Sequence, residues 1–353
     1  MSELIKCLVW DLDNTLWSGV LAEGDDCRIR PGLRQVLKEA DSRGILLSIA
    51  SANEESHALA HLRKLGIGDL FICPQISWGD KVESLQHISE ELGVALNAMG
   101  FVDDEPYQRE KVGALLPEVR TYDSRFAKSL LERPEFCPGV LTEESRSRRR
   151  MYVQNKRRTQ AETREKVSQK EFLRACRTEL ELRRANSGDA PRILELLQRT
   201  HQLNATGVVF GPDELVQFME SPAHRVFIAS MKDRYVDYGR IGVVICHCSP
   251  DRWTILSFLL SCRVLGRGIG QVFLCWLEDQ ALANGVNLIE AHYVKQVRNR
   301  PMFVLYSMSG FDLADQGSEN MRLFTKTCIS DRAVPEWLML NEGNGPCALS
   351  GYS

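Results

Sequence analysis

Short apolar runs recur through the first third of the chain, each followed by a stretch with helical spacing. "LIKCLVW" (4–10) opens the series, "ILLSIA" (45–50) and "LFIC" (70–73) follow, and "AMGFV" (98–102) is the last. Between them, residues 53–64 and 81–92 carry amphipathic helical patterns, and Pro106 opens a further helix. Near-continuous apolar strands alternating with helices predict a parallel sheet covered on both faces.

After about residue 178 the rhythm changes. "LEL" (180–182) starts a strand, and "SGDAPRILELLQRTHQLN" (187–204) reads as a helix with Ser187 as its cap. "HRVFIAS", "GRIGVVICHC" and "WTILSFLLSC" are three successive strands. The turn "RVLGRGIG" (263–270) then opens a helix through Ala283, followed by a strand over 287–291, a helix over 301–308 and a strand over 321–327. Tightly joined strands predict a mixed, largely antiparallel sheet. The tail after Glu336 has little pattern and is expected to fray. Between the halves, residues 145–170 carry ten Lys/Arg against two Glu and no apolar stripe, which predicts a solvated connector or a docking face for an acidic protein. Only Tyr152 interleaves an aromatic there, which argues against a nucleic-acid arm. The expected organisation is α/β throughout: a Rossmann-like parallel sheet without a large cap over 1–140, a basic helical linker over 141–177, and a mixed-sheet domain over 178–345.

Composition narrows the setting. Of 353 residues, 44% are hydrophobic and 26% charged, the usual balance of a globular protein, and a net charge of -3 gives no global attraction to nucleic acid or membrane. No long apolar run or signal-peptide pattern is present, and eleven cysteines without a CxxC pair suit reduced thiols in a cytoplasm. Cys246-His247-Cys248 resembles a metal tract, but alternate residues of a strand face opposite sides, so core packing is expected.

Candidate chemistry gathers where strands end. Ligands of parallel sheets sit beyond the carboxyl ends of strands. Asp11 and Asp13 follow the first strand, Ser51 the second, Asp103 and Asp104 the strand "MGFV", and Lys81 begins a helix at the same edge. Clustered carboxylates repel and lose hydration, so folding alone gives no reason for them. A hard cation such as Mg²⁺ relieves that repulsion. One aspartate can then attack phosphorus while another, two residues along, moves the proton, with Ser51 and Lys81 holding phosphoryl oxygens. "DLDNT", the Ser51 strand end, Lys81 and "VDDEP" resemble the four motifs of haloacid dehalogenase-like phosphohydrolases, in order and in context. The resemblance implies Asp11 as nucleophile, Asp13 as acid/base, and Mg²⁺ on Asp11, the Asp13 carbonyl and an aspartate of the Asp103-Asp104 pair. Leu16 to Arg30 is expected to form only a short flap.

In "RVLGRGIG", Gly266, Gly268 and Gly270 let backbone N–H groups approach an anion at a helix start. Arg263, Gly266 and Gly268 fit the loop of the GNAT acyltransferases, which cradles coenzyme A pyrophosphate. The preceding Cys262, beside Arg263 and the helix start, is a candidate thiol nucleophile or, as free cysteine often is, a packing residue. A haloacid dehalogenase-like domain joined to a GNAT-like one resembles the FkbH-like proteins of bacterial polyketide biosynthesis. "VWDLDNTLW", "FVDDEP", "LQRTHQLNAT", "DYGRIGVV", "FLLSCRVLGRG" and "VRNRP…SGF" carry that likeness across most of the chain. It implies transfer of the acyl group of 1,3-bisphosphoglycerate through a Cys262 thioester to the phosphopantetheine arm of an acyl carrier protein, and removal of the 3-phosphate. Thr15, Asn53, Gln202, Asn204, Arg263, Gly266, Gly268, His292 and Asn299 are the expected substrate or carrier contacts. His201, Leu203, Glu105 and Ser18 depart from the family pattern, none at a nucleophile. Two other readings fit the residues: a phosphatase joined to an acetyl-CoA-dependent N-acetyltransferase, and a non-catalytic carrier-protein scaffold.

Overall fold

The opening apolar run folds as β1 (Cys7–Trp10), buried along its length, in a computed structural model that describes residues 4–164, 169–315, 321–329 and 334–343. The chain divides into two units, Met1–Val153 and Gln154–Ser353. Among the described residues no helix is long and apolar enough to cross a membrane.

In the first unit, β1 is followed by a two-strand ribbon, β2 (Trp17–Ser18) with β3 (Arg28–Ile29), which is the flap expected over residues 16–30. Then come α1 (Leu33–Ser42), β4 (Leu46–Ser51), α2 (Glu55–Lys64), β5 (Gln75–Ile76), α3 (Lys81–Leu92), β6 (Met99–Asp103), α4 (Pro106–Leu115), β7 (Arg120–Asp123) and the short α5 (Glu143–Arg146). The main sheet has the order β5-β4-β1-β6-β7, and all its pairs are parallel. Both faces of β1 are used: Leu8 and Trp10 pack with Leu33 and Leu37 of α1, while Cys7 and Val9 pack with Leu85 and Ile88 of α3. That explains why β1 reads as a continuous apolar run rather than an alternating one. Successive connections run outward in opposite directions from β1, so the edge beyond β1 and β6 is the switch point where such sheets bind ligands.

"LFIC" does not form the strand its composition predicts. Phe71 makes a single bridge to Leu47, Cys73 takes a left-handed φ of 50°, and Pro74 follows without an N–H, so pairing resumes only at β5. Several arginines of the basic segment's described part, up to Arg158, are paired rather than left in solvent. Within α6 (Arg148–Arg164), Arg149 forms an ion pair with Asp41 at 2.9 Å and Arg148 donates to the Gly44 carbonyl at 2.9 Å. Arg158 is buried, 3.2 Å from Asp233, and its guanidinium lies 5.2 Å from the Phe172 ring of α7 (Gln169–Cys176). Long arginine stems pack like apolar residues while their heads find partners, which a count of charges does not register.

The second unit continues with β8 (Thr178–Arg184), α8 (Ala190–Arg199), α9 (Pro212–Glu220), β9 (His224–Lys232), β10 (Asp237–Cys248), β11 (Trp253–Leu260), α10 (Ile269–Ala283), β12 (Leu288–Val294), α11 (Arg300–Met308), β13 (Asp312–Asp315), β14 (Met321–Thr327) and β15 (Leu338–Gly343). Its sheet has the order β13-β14-β12-β11-β10-β9-β8-β15 and is antiparallel except at β11–β12 and β8–β15. The tail expected to fray therefore contains an edge strand. Its apolar content is low because an edge strand needs backbone pairing more than a two-sided core. The helix expected over 187–204 is shorter: Asn186, not Ser187, accepts from the Gly188 N–H, and α8 stops at Arg199. Cys246 and Cys248 are buried while His247 between them is exposed, as the alternation predicts.

Candidate active site

Lys81 organises the first unit's site. Its Nζ lies 2.8 Å from Asp11 Oδ1 and 2.6 Å from Asp103 Oδ2, joining the ends of β1 and β6 through the first residue of α3. Asp80 fixes that helix start by accepting from the Val82 N–H at 2.9 Å, and Lys111 pairs with Asp80 at 2.7 Å. Asp11, Lys81 and Asp103 are all buried. Burial pushes the Asp11 carboxyl up to about 6; Lys81 opposes the rise, Asp103 adds to it, and a hydrogen bond from Ser51 opposes it. Burial also raises Asp103, against Lys81. Burial disfavours the Lys81 ammonium, but the two carboxylates outweigh it and hold the group above its ordinary value.

Asp104 completes a group of three carboxylates. Oxygens of Asp11, Asp103 and Asp104 lie within 4.8 Å of one another. Thr15, fully buried, fixes Asp104 from two sides: its hydroxyl donates to Asp104 Oδ1 at 2.9 Å and accepts from the Asp104 N–H at 2.9 Å. An all-oxygen, multiply charged donor set suits a hard cation such as Mg²⁺. The Asp103 carboxylate also accepts from the Glu105 N–H at 2.8 Å, and Arg109 bonds the Asp103 carbonyl at 2.8 Å while pairing with Asp123.

Asp13 is placed differently from the other carboxylates, and its carboxylate stands outside the group of three. Oδ1 accepts from Trp17 Nε1 at 2.7 Å and from the Leu21 N–H at 3.0 Å; Oδ2 accepts from Asn53 Nδ2 at 2.9 Å. Asn53 also donates to Ser51 Oγ at 3.3 Å. Ser51 therefore links two sets of partners, Asp13 and Asn53 on one side and Asp11, with Lys81 and Asp103, on the other, while Thr15 holds Asp104. Sequence reading missed Trp17 and the flap amide of Leu21. A tryptophan four residues after Asp13 in an apolar setting was the available signal, because a buried indole N–H seeks an acceptor.

In the second unit, Cys262 is exposed in a short turn after β11, and Arg263 Nε donates to Ser261 Oγ at 3.1 Å. Gly266 (φ 77°) and Gly268 (φ 65°) adopt left-handed backbone, so the loop reaches α10 in a conformation that side chains other than glycine resist. β11 and β12 pair only as far as Ile255 and Ala291, then separate. Residues 203–205 enter the gap: Leu260 N–H donates to Leu203 O at 2.8 Å, Ala205 N–H to Phe258 O at 2.9 Å, and Val294 N–H to Ala205 O at 2.9 Å.

Asn204 and Asn299, expected as substrate or carrier contacts, hold that wedge in place. Asn299 is fully buried; its Nδ2 bonds the carbonyls of Asn204 at 3.0 Å and Val294 at 2.9 Å, and its Oδ1 accepts from Tyr293 OH and the Gln296 N–H, each at 2.9 Å. Asn204 Oδ1 accepts from the Gly207 N–H at 2.8 Å. Both amides bond the backbone around the loop. Gln202 beside them is exposed. His292 is half-buried on β12, and burial lowers its pKa against the effect of Glu290. No hydrogen bond joins it to Cys262 among the described residues.

No family model matches the chain. The human magnesium-dependent phosphatase 1 is 28% identical over 124 residues, covering 30% of this chain and 70% of that protein. Among solved structures, the N-terminal part of a Bacteroides fragilis protein containing a phosphatase domain complexed with Mg is similar at 23% identity and a TM-score of 0.33, over 36% of this chain and 41% of that one. A GNAT-family acetyltransferase from Streptococcus pneumoniae is similar at 18% identity and a TM-score of 0.34, over 42% of this chain and 99% of that one.

Proposed function

We propose that the chain is a two-site enzyme, a Mg²⁺-dependent phosphatase in its first unit and an acyltransferase in its second, acting on 1,3-bisphosphoglycerate and an acyl carrier protein. The observation that carries the phosphatase reading is the Asp11–Lys81–Asp103 bridge with Asp104 beside it, buried charge that only an anionic ligand and a cation make useful. The similarity to the human magnesium-dependent phosphatase 1 supports it.

Asp11, Asp103 and Asp104 would hold Mg²⁺, joined by the Asp13 carbonyl, and the ion supplies charge neutralisation for phosphoryl oxygens. An Asp11 carboxylate oxygen attacks phosphorus, and the bond from phosphorus to the glyceryl oxygen breaks. The Asp13 carboxyl gives that oxygen its proton. Asp13 then takes a proton from water, whose oxygen attacks the aspartyl phosphate and frees both phosphate and Asp11. Ser51 and Lys81 hold the phosphoryl oxygens throughout.

In the second unit the Cys262 thiolate attacks the acyl-phosphate carbonyl and inorganic phosphate leaves. The carrier's phosphopantetheine thiolate displaces Cys262 from the resulting thioester. Exposure of Cys262 after β11, ahead of the glycine loop, supports this role. Incubation with 1,3-bisphosphoglycerate and carrier protein, followed by intact mass, tests the whole reading. Cys262→Ser should abolish carrier loading, and Asp11→Asn should leave a phosphoglyceryl adduct. Full loading by Cys262→Ser overturns the thioester. Amine-dependent turnover of acetyl-CoA by that variant establishes the N-acetyltransferase reading instead.

A further inference from the structure

Helix α3 carries two different sets of ligands. Its first residue serves the phosphatase site. His87 and Glu91, one turn apart and both exposed, lie further along, about 9 and 15 Å from Lys81 by helical rise. Cys73, in the left-handed turn before β5, brings its thiol to the same place: Sγ is 2.8 Å from Glu91 Oε2, and His87 Nε2 is 3.3 Å from that oxygen. The three ligand atoms lie within 4.8 Å of one another. Among the described residues this is the one such group of mixed sulfur, nitrogen and oxygen donors; the other is the all-carboxylate site.

We propose that Cys73, His87 and Glu91 form a second metal site, selective for Zn²⁺ over Mg²⁺, with water in the fourth position. Thiolate and imidazole favour zinc, whereas Mg²⁺ takes oxygen. Bonds of about 2.0–2.3 Å in a tetrahedron set ligand atoms about 3.3–3.7 Å apart. The His87–Glu91 separation of 3.3 Å already fits, and the Cys73–Glu91 separation of 2.8 Å has to widen by about 0.7 Å. Exposed His87 and Glu91 side chains can make that adjustment while Cys73 stays in the core. The site has an outer support: Gln75 Nε2 lies 3.7 Å from Cys73 Sγ, and Ser48 Oγ of β4 holds the Cys73 carbonyl at 2.9 Å. On binding, the Cys73 thiol loses its proton to solvent and the sulfur–metal bond forms; no oxidant is needed. The ion would clip the turn before β5 to α3. The site uses none of the proposed phosphatase residues and stands independently of that reading.

Co²⁺ is the probe, added to chelator-treated full-length protein in saturating Mg²⁺, which occupies the carboxylate site. Expected is a thiolate-to-cobalt charge-transfer band that one equivalent of Zn²⁺ removes. Cys73→Ser should lose the band; His87→Ala and Glu91→Gln, surface changes that do not threaten folding, should each weaken binding at least about tenfold. Zn²⁺ should raise the melting temperature of wild type and not of His87→Ala. Absence of the band in wild type, its persistence in Cys73→Ser, or unchanged affinity in both surface variants overturns the proposal.

Discussion

Lys81 Nζ sits 2.8 Å from Asp11 Oδ1, and the lysine is the first residue of α3 rather than part of a loop. The helix start places the lysine backbone, and its ammonium is buried between Asp11 and Asp103. Replacing it leaves two carboxylates facing one another out of water. Removing one member of a buried ion pair costs about 3–5 kcal/mol. Lys81→Met should accordingly lower the melting temperature markedly without metal and recover a large part of the loss in Mg²⁺, which replaces the missing positive charge. Thermal melts of both proteins with and without Mg²⁺ measure this; equal Mg²⁺ responses would contradict it.

The Asp11 carboxyl titrates at about 6, raised from 3.8 chiefly by burial. A carboxyl raised in the folded state stabilises folding while protonated, and that contribution is lost as pH rises from about 4 through about 6. Asp103 is raised in the same direction. Asp11→Asn cannot ionise, so its stability should gain on wild type over this interval in metal-free buffer. Mg²⁺ requires the ionised form, and its affinity for wild type should fall as pH drops through about 6. Calorimetric titration across that range, beside melts of both proteins, reads the two effects.

Trp17 Nε1 and the Leu21 amide both donate to Asp13 Oδ1, so the flap that carries them sets the carboxylate's direction. Trp17→Phe keeps most of the buried volume and removes one donor. A hydrogen bond to a charged group contributes about 1.5–3 kcal/mol, so phosphate release should slow by roughly tenfold to a hundredfold. With Asp13 in its proposed proton-transfer role, the effect should fall on kcat more than on KM. An equal rise in KM with kcat unchanged would assign Trp17 to substrate binding.

The sheet of the first unit was legible because β1, β4 and β6 are buried on both faces and therefore read as apolar runs. Their polar ends stood out against that background, so Asp11, Ser51 and Asp103 could be placed at one edge. What escaped was carried by backbone and by single atoms. β15 has little apolar signal because its pairing with β8 is a backbone matter. Asn186 and Ser187 are both good caps, and one residue of phase decides between them. Asn204 and Asn299 were expected as substrate or carrier contacts only through the family resemblance, and a buried asparagine can serve a ligand or satisfy a loop's backbone. Only their hydrogen bonds distinguish the two.

Asn299 is fully buried and holds residues 203–205 between the separated ends of β11 and β12, whereas Gln202 at the start of the same segment is exposed. Asn299→Ala removes the amide donor from the carbonyls of Asn204, Val294 and Ala205, the last of which keeps the Val294 N–H, and removes the acceptor of the Tyr293 hydroxyl and the Gln296 N–H. Stranded buried polar groups cost about 1–3 kcal/mol each, with effects that do not simply add. The second unit should therefore melt several degrees lower while the first, followed through its response to Mg²⁺, keeps its midpoint. Gln202→Ala should change stability by no more than about 0.5 kcal/mol. If Gln202 touches the carrier's arm, its variant will load carrier protein more slowly with an unchanged melting profile. A destabilised Gln202 variant and a stable Asn299 variant would reverse the two assignments and return Asn299 to the binding surface.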